Sequence, residues 1–119
     1  YISLVANGLL TSEQVIESDP DLVRAMVRAI TRGIQFTAND PEQAFQISEK
    51  YVETLAALTA VEKDIQRQIL DASIEMWQTD PLGYSNPAAW ENMQDLLLQM
   101  DLLTSPLDLE SAYSNGFLP

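Results

Sequence analysis

The chain has 119 residues with 18 acidic and 6 basic side chains, a formal charge of −12 at neutral pH, and neither Cys nor His. A length of this order suits one domain, and the 46% hydrophobic share provides for a buried core; the negative charge argues against nucleic acid and anionic membrane as partners. Disulfides, thiolate ligands, a Cys nucleophile and an imidazole proton shuttle are all excluded within the chain, and no run approaches the roughly 18 apolar residues of a membrane span. No basic-then-apolar leader precedes Tyr1, and the first residue is not Met, so the expectation is a mature product or a cut piece.

In chain order, residues 1–6 are β-branched and aromatic with partial alternation and stop at Asn7-Gly8, a strong turn signal; they predict one strand. Thr11-Ser12-Glu13-Gln14 fits a capping box with Thr11 as the cap, opening a short helix over about 12–18. Asp19-Pro20, Asp40-Pro41 and Asn86-Pro87 each place an Asx side chain before a Pro at the first helical position, where the missing N–H costs nothing.

The first of these opens a helix over about 20–38, with Leu22, Val23, Met26, Val27, Ile30 and Ile34 on an apolar arc and Arg24, Arg28, Thr31, Arg32 and Gln35 opposite. Gly33 falls on the apolar side, which predicts close approach of another backbone. The second opens a helix over about 41–52 using Ala44, Phe45, Ile47 and Tyr51. Thr59 to Glu62 is a second capping box, opening a helix over about 60–78. Its main apolar side is Val61, Ile65, Ile69, Ala72 and Met76, widened by Leu70, Ile74 and Trp77. Asn86 caps a helix over about 87–100 with Trp90, Met93, Leu97 and Met100 at three-four spacing, and Asp108 caps a short helical turn over 109–113.

The fold class is therefore mostly α, with five to six helices and a single N-terminal strand. A lone strand leaves a row of amides and carbonyls without partners. Its neighbours must come from further protein at the N-terminus or from a second copy, so self-association or a segment swap is expected of the chain by itself.

Two stretches resemble a known family. Leu10-Thr11-Ser12-Glu13, then Ser18-Asp19-Pro20-Asp21-Leu22-Val23-Arg24-Ala25-Met26-Val27-Arg28-Ala29 and Arg32-Gly33, resemble a segment of bacterial solute-binding proteins similar to the thiamine-pyrimidine (NMT1/THI5-like) binders and close to the nitrate, sulfonate and taurine binders. The end, Asp108 through Ala112-Tyr113-Ser114-Asn115-Gly116-Phe117-Leu118, looks like the family's terminal pattern, with Ser114 where Thr is common and Gly116 where an acidic residue is common. The resemblance implies the C-terminal portion of a fold of two α/β lobes that closes on a small ligand and delivers it to an ABC permease. The implied location is periplasmic or extracellular, with membrane association through the transporter. It implies a thiamine-precursor pyrimidine or a sulfonate as the solute, no cofactor and no enzymatic activity. A segment of a related pyrimidine synthase and a free-standing helical interaction module are the alternatives; the synthases' His and Cys-rich motif have no counterpart in this segment.

Tyr1 and Asn7 flank the presumed hinge strand and are the candidate ligand-binding residues. Arg24, Arg28 and Arg32 could form an anion or permease contact but read better as a solvated face paired with carboxylates. Trp77, Trp90, Tyr84 and Phe45 are candidate aromatic walls of a pyrimidine pocket; Trp77 and Trp90 lie on apolar helical faces and read as core, and Tyr84 as a surface aromatic. Asp19/Asp21 and Asp40/Glu42 sit at helix starts, where the macrodipole accounts for them without a metal or an acid–base pair.

Overall fold

A computed structural model of the protein describes residues 3–77 and 79–119. Its helices are α1 (Glu13–Ser18), α2 (Pro20–Asn39), α3 (Pro41–Tyr51), α4 (Glu53–Ala56), α5 (Ala60–Trp77) and α6 (Pro87–Gln99), so the protein is mostly helical. Among the described residues there is no strand. The strand expected over residues 1–6 is therefore corrected where it can be seen: Tyr1 and Ile2 lie outside the described residues, and 3–6 have no regular structure. The reason is the one that made the strand conspicuous, since an extended segment becomes a strand only by pairing with a neighbour and none is described here. Instead the Ser3 carbonyl accepts a hydrogen bond from Asn92 Nδ2 at 3.0 Å. Asn7-Gly8 forms no turn.

The helix starts follow from cap chemistry. Asp19 Oδ1 accepts from the Leu22 N–H at 3.0 Å, Asp40 Oδ1 from the Gln43 N–H at 3.0 Å, and Asn86 Oδ1 from the Ala88 N–H at 3.0 Å. Before α5 the Thr59 N–H donates to Glu62 Oε2 at 2.8 Å and the Glu62 N–H to Thr59 Oγ1 at 3.4 Å, a reciprocal capping box. Before α1 the cap is Ser12 rather than Thr11, its Oγ accepting from the Val15 N–H at 3.3 Å.

Asp101 ends α6 in the left-handed region at φ 56°. Its N–H bonds the Leu98 carbonyl at 3.2 Å and the Leu102 N–H bonds the Leu97 carbonyl at 2.9 Å, the two bonds of a Schellman motif. The helical turn expected over 109–113 is a turn without helix. Asp108 Oδ1 accepts from the Glu110 N–H at 3.1 Å, two residues on, and the Ala112 N–H reaches Leu109 O, three residues back, at 3.3 Å.

The chain divides into two compact units, residues 1–27 with 84–119 and residues 28–83. In the first, the C-terminal segment is fastened by alternate side chains. Tyr113 stacks on Trp90 with ring centroids 5.1 Å apart and planes 9° off parallel. Asn115 makes two hydrogen bonds with the backbone of Ser85, accepting from its N–H at 2.9 Å and donating Nδ2 to its carbonyl at 3.0 Å. Phe117 lies under the Arg24 guanidinium, 5.5 Å from the ring centroid. Tyr113, Asn115 and Phe117 are half-buried while Ala112, Ser114 and Gly116 are exposed, and the segment closes in a turn in which the Leu118 N–H donates to the Asn115 carbonyl at 3.3 Å. Gln94 Oε1 adds an acceptor for the Leu107 N–H at 2.7 Å.

In the second unit α3 packs on α4 and α5. Glu42 pairs with Arg67 and Glu49 with Lys63, so α3 and α5 run antiparallel. Lys63 Nζ lies 2.7 Å from Glu49 Oε1, and Arg67 Nε donates to Glu42 Oε2 at 2.9 Å. The Arg67 guanidinium also sits 4.3 Å from the centroid of Phe45, which is buried. These contacts turn Leu70 and Ile74 inward and leave Val61, Ile65, Ile69 and Met76 exposed, at 71%, 50%, 52% and 83%. The side of α5 with the longer apolar stripe is thus the outer one, the reverse of what its length alone suggests. Gly33 likewise meets no backbone, because a Cβ built there has nothing within 4 Å.

Two stability changes follow. Replacing Asn115 by Ala strips the Ser85 backbone of both partners and lowers unfolding free energy by about 1 to 2 kcal/mol in urea titrations. Asp101→Gly relieves a left-handed residue and raises it by about 0.5 to 1 kcal/mol in the same assay.

Candidate functional site

The best-formed concavity lies in the unit of residues 28–83, in an open groove of about 350 Å³ along α3 and α5. Phe45, Leu55, Ile69, Leu70 and Trp77 provide its apolar walls, with Thr37, Ser48, Gln66 and Ser73 as polar members. Three of its hydroxyls already donate to their own helices: Thr37 to Gly33 O at 2.9 Å, Ser48 to Ala44 O at 2.9 Å and Ser73 to Ile69 O at 2.7 Å. A second groove of about 270 Å³ in the same unit is lined by Ile34, Ala38, Ile74, Trp77, Thr79 and Leu82, among others, and Trp77 stands at both. No lining residue of either groove is charged. Such surfaces accept flat, neutral, apolar groups or packed side chains, and they offer nothing to a metal or an ion. Among the described residues no group of His, Cys, Asp or Glu side chains is placed to hold a metal.

Beside the first groove runs the ion-pair row of α3 and α5. The Gln46 amide and then Arg67 hold the Glu42 carboxyl below its ordinary value, and Glu42 in turn raises Arg67. Glu62 is lowered by the Thr59 hydroxyl and backbone N–H it accepts from.

Of the residues singled out in the sequence, Tyr1 lies outside the described residues, and Asn7 is exposed in the irregular N-terminal segment. Arg24 pairs with Asp21 at 3.1 Å and covers Phe117; Arg28 and Arg32 are exposed. Phe45 is core, Trp90 packs on Tyr113, Trp77 lines the grooves and Tyr84 is exposed. Asp19 and Asp40 cap helices, as their positions imply. Sequence reasoning missed Ser48, Leu55 and Ser73 as groove residues, because they come from three different segments with no spacing in common. Glu42 was read only as a helix-start carboxylate; its link to Arg67 spans 25 residues and no local pattern signals it.

Comparison with known proteins supplies the class. The family described as NMT1/THI5 like matches residues 2–44. The riboflavin-binding protein RibY of Chloroflexus aurantiacus is 34% identical over 98% of the chain. The chain is thus similar to the NMT1/THI5-like family over its first third, and it spans about a third of the length of the curated relative it matches. No solved structure matches.

The Glu42 environment predicts a pH dependence. Its folded pKa lies below its ordinary value of 4.5, so its contribution to stability is complete above that pH and is lost as pH falls through the lower folded value. Glu42→Gln therefore lowers thermal stability at pH 7, and its melting temperature declines less steeply than the parent's below pH 4.5. Melting curves collected between neutral and strongly acid pH check both signs; parallel curves would contradict them.

Proposed function

We propose that the protein acts in the substrate-binding component of an ABC importer, outside the cytoplasmic membrane, and that its solute is a small heteroaromatic compound with a pyrimidine-type ring. The observation that carries this is the 34% identity along 98% of the chain to a protein named for binding riboflavin. Riboflavin and the thiamine-precursor pyrimidines differ in size but share a flat, nitrogen-rich six-membered ring, and that shared ring defines the ligand class better than either compound alone. The NMT1/THI5-like match supports the pyrimidine end of the range. A sulfonate, the other solute implied by the sequence resemblance, is a charged tetrahedral group and lacks that ring.

The role is binding rather than catalysis. Affinity comes from enclosing the ring between two lobes, so that ligand contacts bias an open–closed equilibrium, and an ABC permease receives the closed form. Within this chain the ligand contacts are Tyr1 and Asn7. Asn7 is exposed and its side chain makes no hydrogen bond among the described residues, which leaves its amide available to a ring nitrogen or carbonyl.

The test is titration of the full-length gene product with riboflavin, a hydroxymethyl-aminopyrimidine and taurine, followed by flavin fluorescence and thermal shift. Saturable binding of riboflavin or of the pyrimidine is expected, and Asn7→Ala weakens it about tenfold, equivalent to about 1.4 kcal/mol. Binding of taurine alone, or of none of the three, would overturn the ligand class. Turnover of a bound pyrimidine would replace binding by the synthase alternative.

A further inference from the structure

We infer that the outer face of α5 is a docking seat for an amphipathic helix with basic flanks. Val61, Ile65, Ile69, Ala72 and Met76 recur at intervals of four, four, three and four. At 100° per residue they fall within an arc of about 80° that runs roughly 22 Å along the helix. All five are exposed, Met76 at 83% and Val61 at 71%. An apolar stripe of this continuity on the open side of a helix is a surface that packs against something.

Charge says what kind of surface fits it. Asp64, Asp71 and Glu75 lie along one edge of the stripe and Glu62 at the other, all exposed; Asp64 is paired with Arg67 and Glu62 with Thr59, which leaves Asp71 and Glu75 as the edge that faces a partner. Asp71 and Glu75 have no ion pair among the described residues. The cations of α5 are committed elsewhere: Lys63 to Glu49 at 2.7 Å, and Arg67 to Glu42 at 2.9 Å and to Asp64 at 3.3 Å. The outer face is therefore apolar along its middle and negative at its rim. A second copy is a poor occupant. In an antiparallel pair like edges face each other, so the Asp71 and Glu75 edge would meet itself, and the chain's −12 charge adds to the repulsion. An anionic membrane is disfavoured for the same reason. A helix carrying Leu- or Ala-type residues on one face and Lys or Arg beside them satisfies both the stripe and the rim. The stripe meets the first groove at Ile69, which borders both, but it does not include Asn7 or Tyr1 and the inference does not rest on them.

The test uses the whole 119-residue chain. Because the protein has no Cys, Gln68→Cys supplies a single thiol beside the stripe for a polarity-sensitive fluorophore. Two synthetic helices of about 18 residues share a Leu/Ala stripe and differ only in Lys or Glu at the flanking positions. The Lys-flanked peptide is expected to bind at least about tenfold more tightly, with the difference shrinking at high salt. Ile65→Ser with Ile69→Ser abolishes binding while circular dichroism shows unchanged helicity. Asp71→Lys with Glu75→Lys reverses the preference between the peptides, which keeps the test decisive should the isoleucine variant unfold. Equal binding of both peptides, binding of neither, or a preference untouched by the charge reversal would overturn the inference. So would sedimentation showing a dimer that the isoleucine substitutions disperse, or dye shifts produced by phosphatidylglycerol vesicles.

Discussion

Which face of α5 looks inward is decided by two cations. Lys63 and Arg67 stand one turn apart and meet Glu49 and Glu42 on α3, fixing the rotation of one helix against the other. Neither pair is fully exposed, and Arg67 combines its ion pair with a stacked position on Phe45, the best-buried apolar residue of that unit. Pulling the charges inward carries Leu70 and Ile74 with them and turns the Val61 to Met76 stripe outward. The groove along α3 and α5, with its uncharged lining, and the exposed stripe follow from that rotation.

The other unit is organised by its C-terminal segment. The Tyr113, Asn115 and Phe117 positions, spaced by two, each find a distinct partner: a Trp face, a backbone amide with its carbonyl, and an Arg guanidinium. Asn115 is the most exacting of these, because only a carboxamide of that reach both donates and accepts at one peptide unit. The terminal pattern that carries the family resemblance is thus a fastening device. Its Tyr and Asn are occupied by the protein itself.

The likeness to the NMT1/THI5-like family and to a riboflavin-binding protein accords with an economy of charge. Eighteen carboxylates are spent on caps, ion pairs and solvated faces, whereas the concave surfaces are neutral. Selection among neutral heteroaromatic solutes relies on shape and a few placed amides, for which neither metal nor titrating group is required. The chain corresponds to about a third of the length of its riboflavin-binding relative.

The sequence by itself determined the helical character and the positions where α2, α3, α5 and α6 begin, because caps and Pro at the first turn act over three residues and need no other partner. It also carried the family likeness, through the stretch around Asp19-Pro20, which lies within the matched residues 2–44. It did not show α4, four residues too short for a periodic signal, nor Ser12 as the cap in place of Thr11, since either hydroxyl suits that end. The strand read over 1–6 failed for residues 3–6 because strand formation depends on a neighbour, which a local pattern cannot supply. Tertiary structure alone decided which apolar side of α5 is buried and what gathers around the grooves. An amphipathic pattern records that a face is apolar; the partners across 14 to 25 residues, Glu49 with Lys63 and Glu42 with Arg67, decide whether that face is covered.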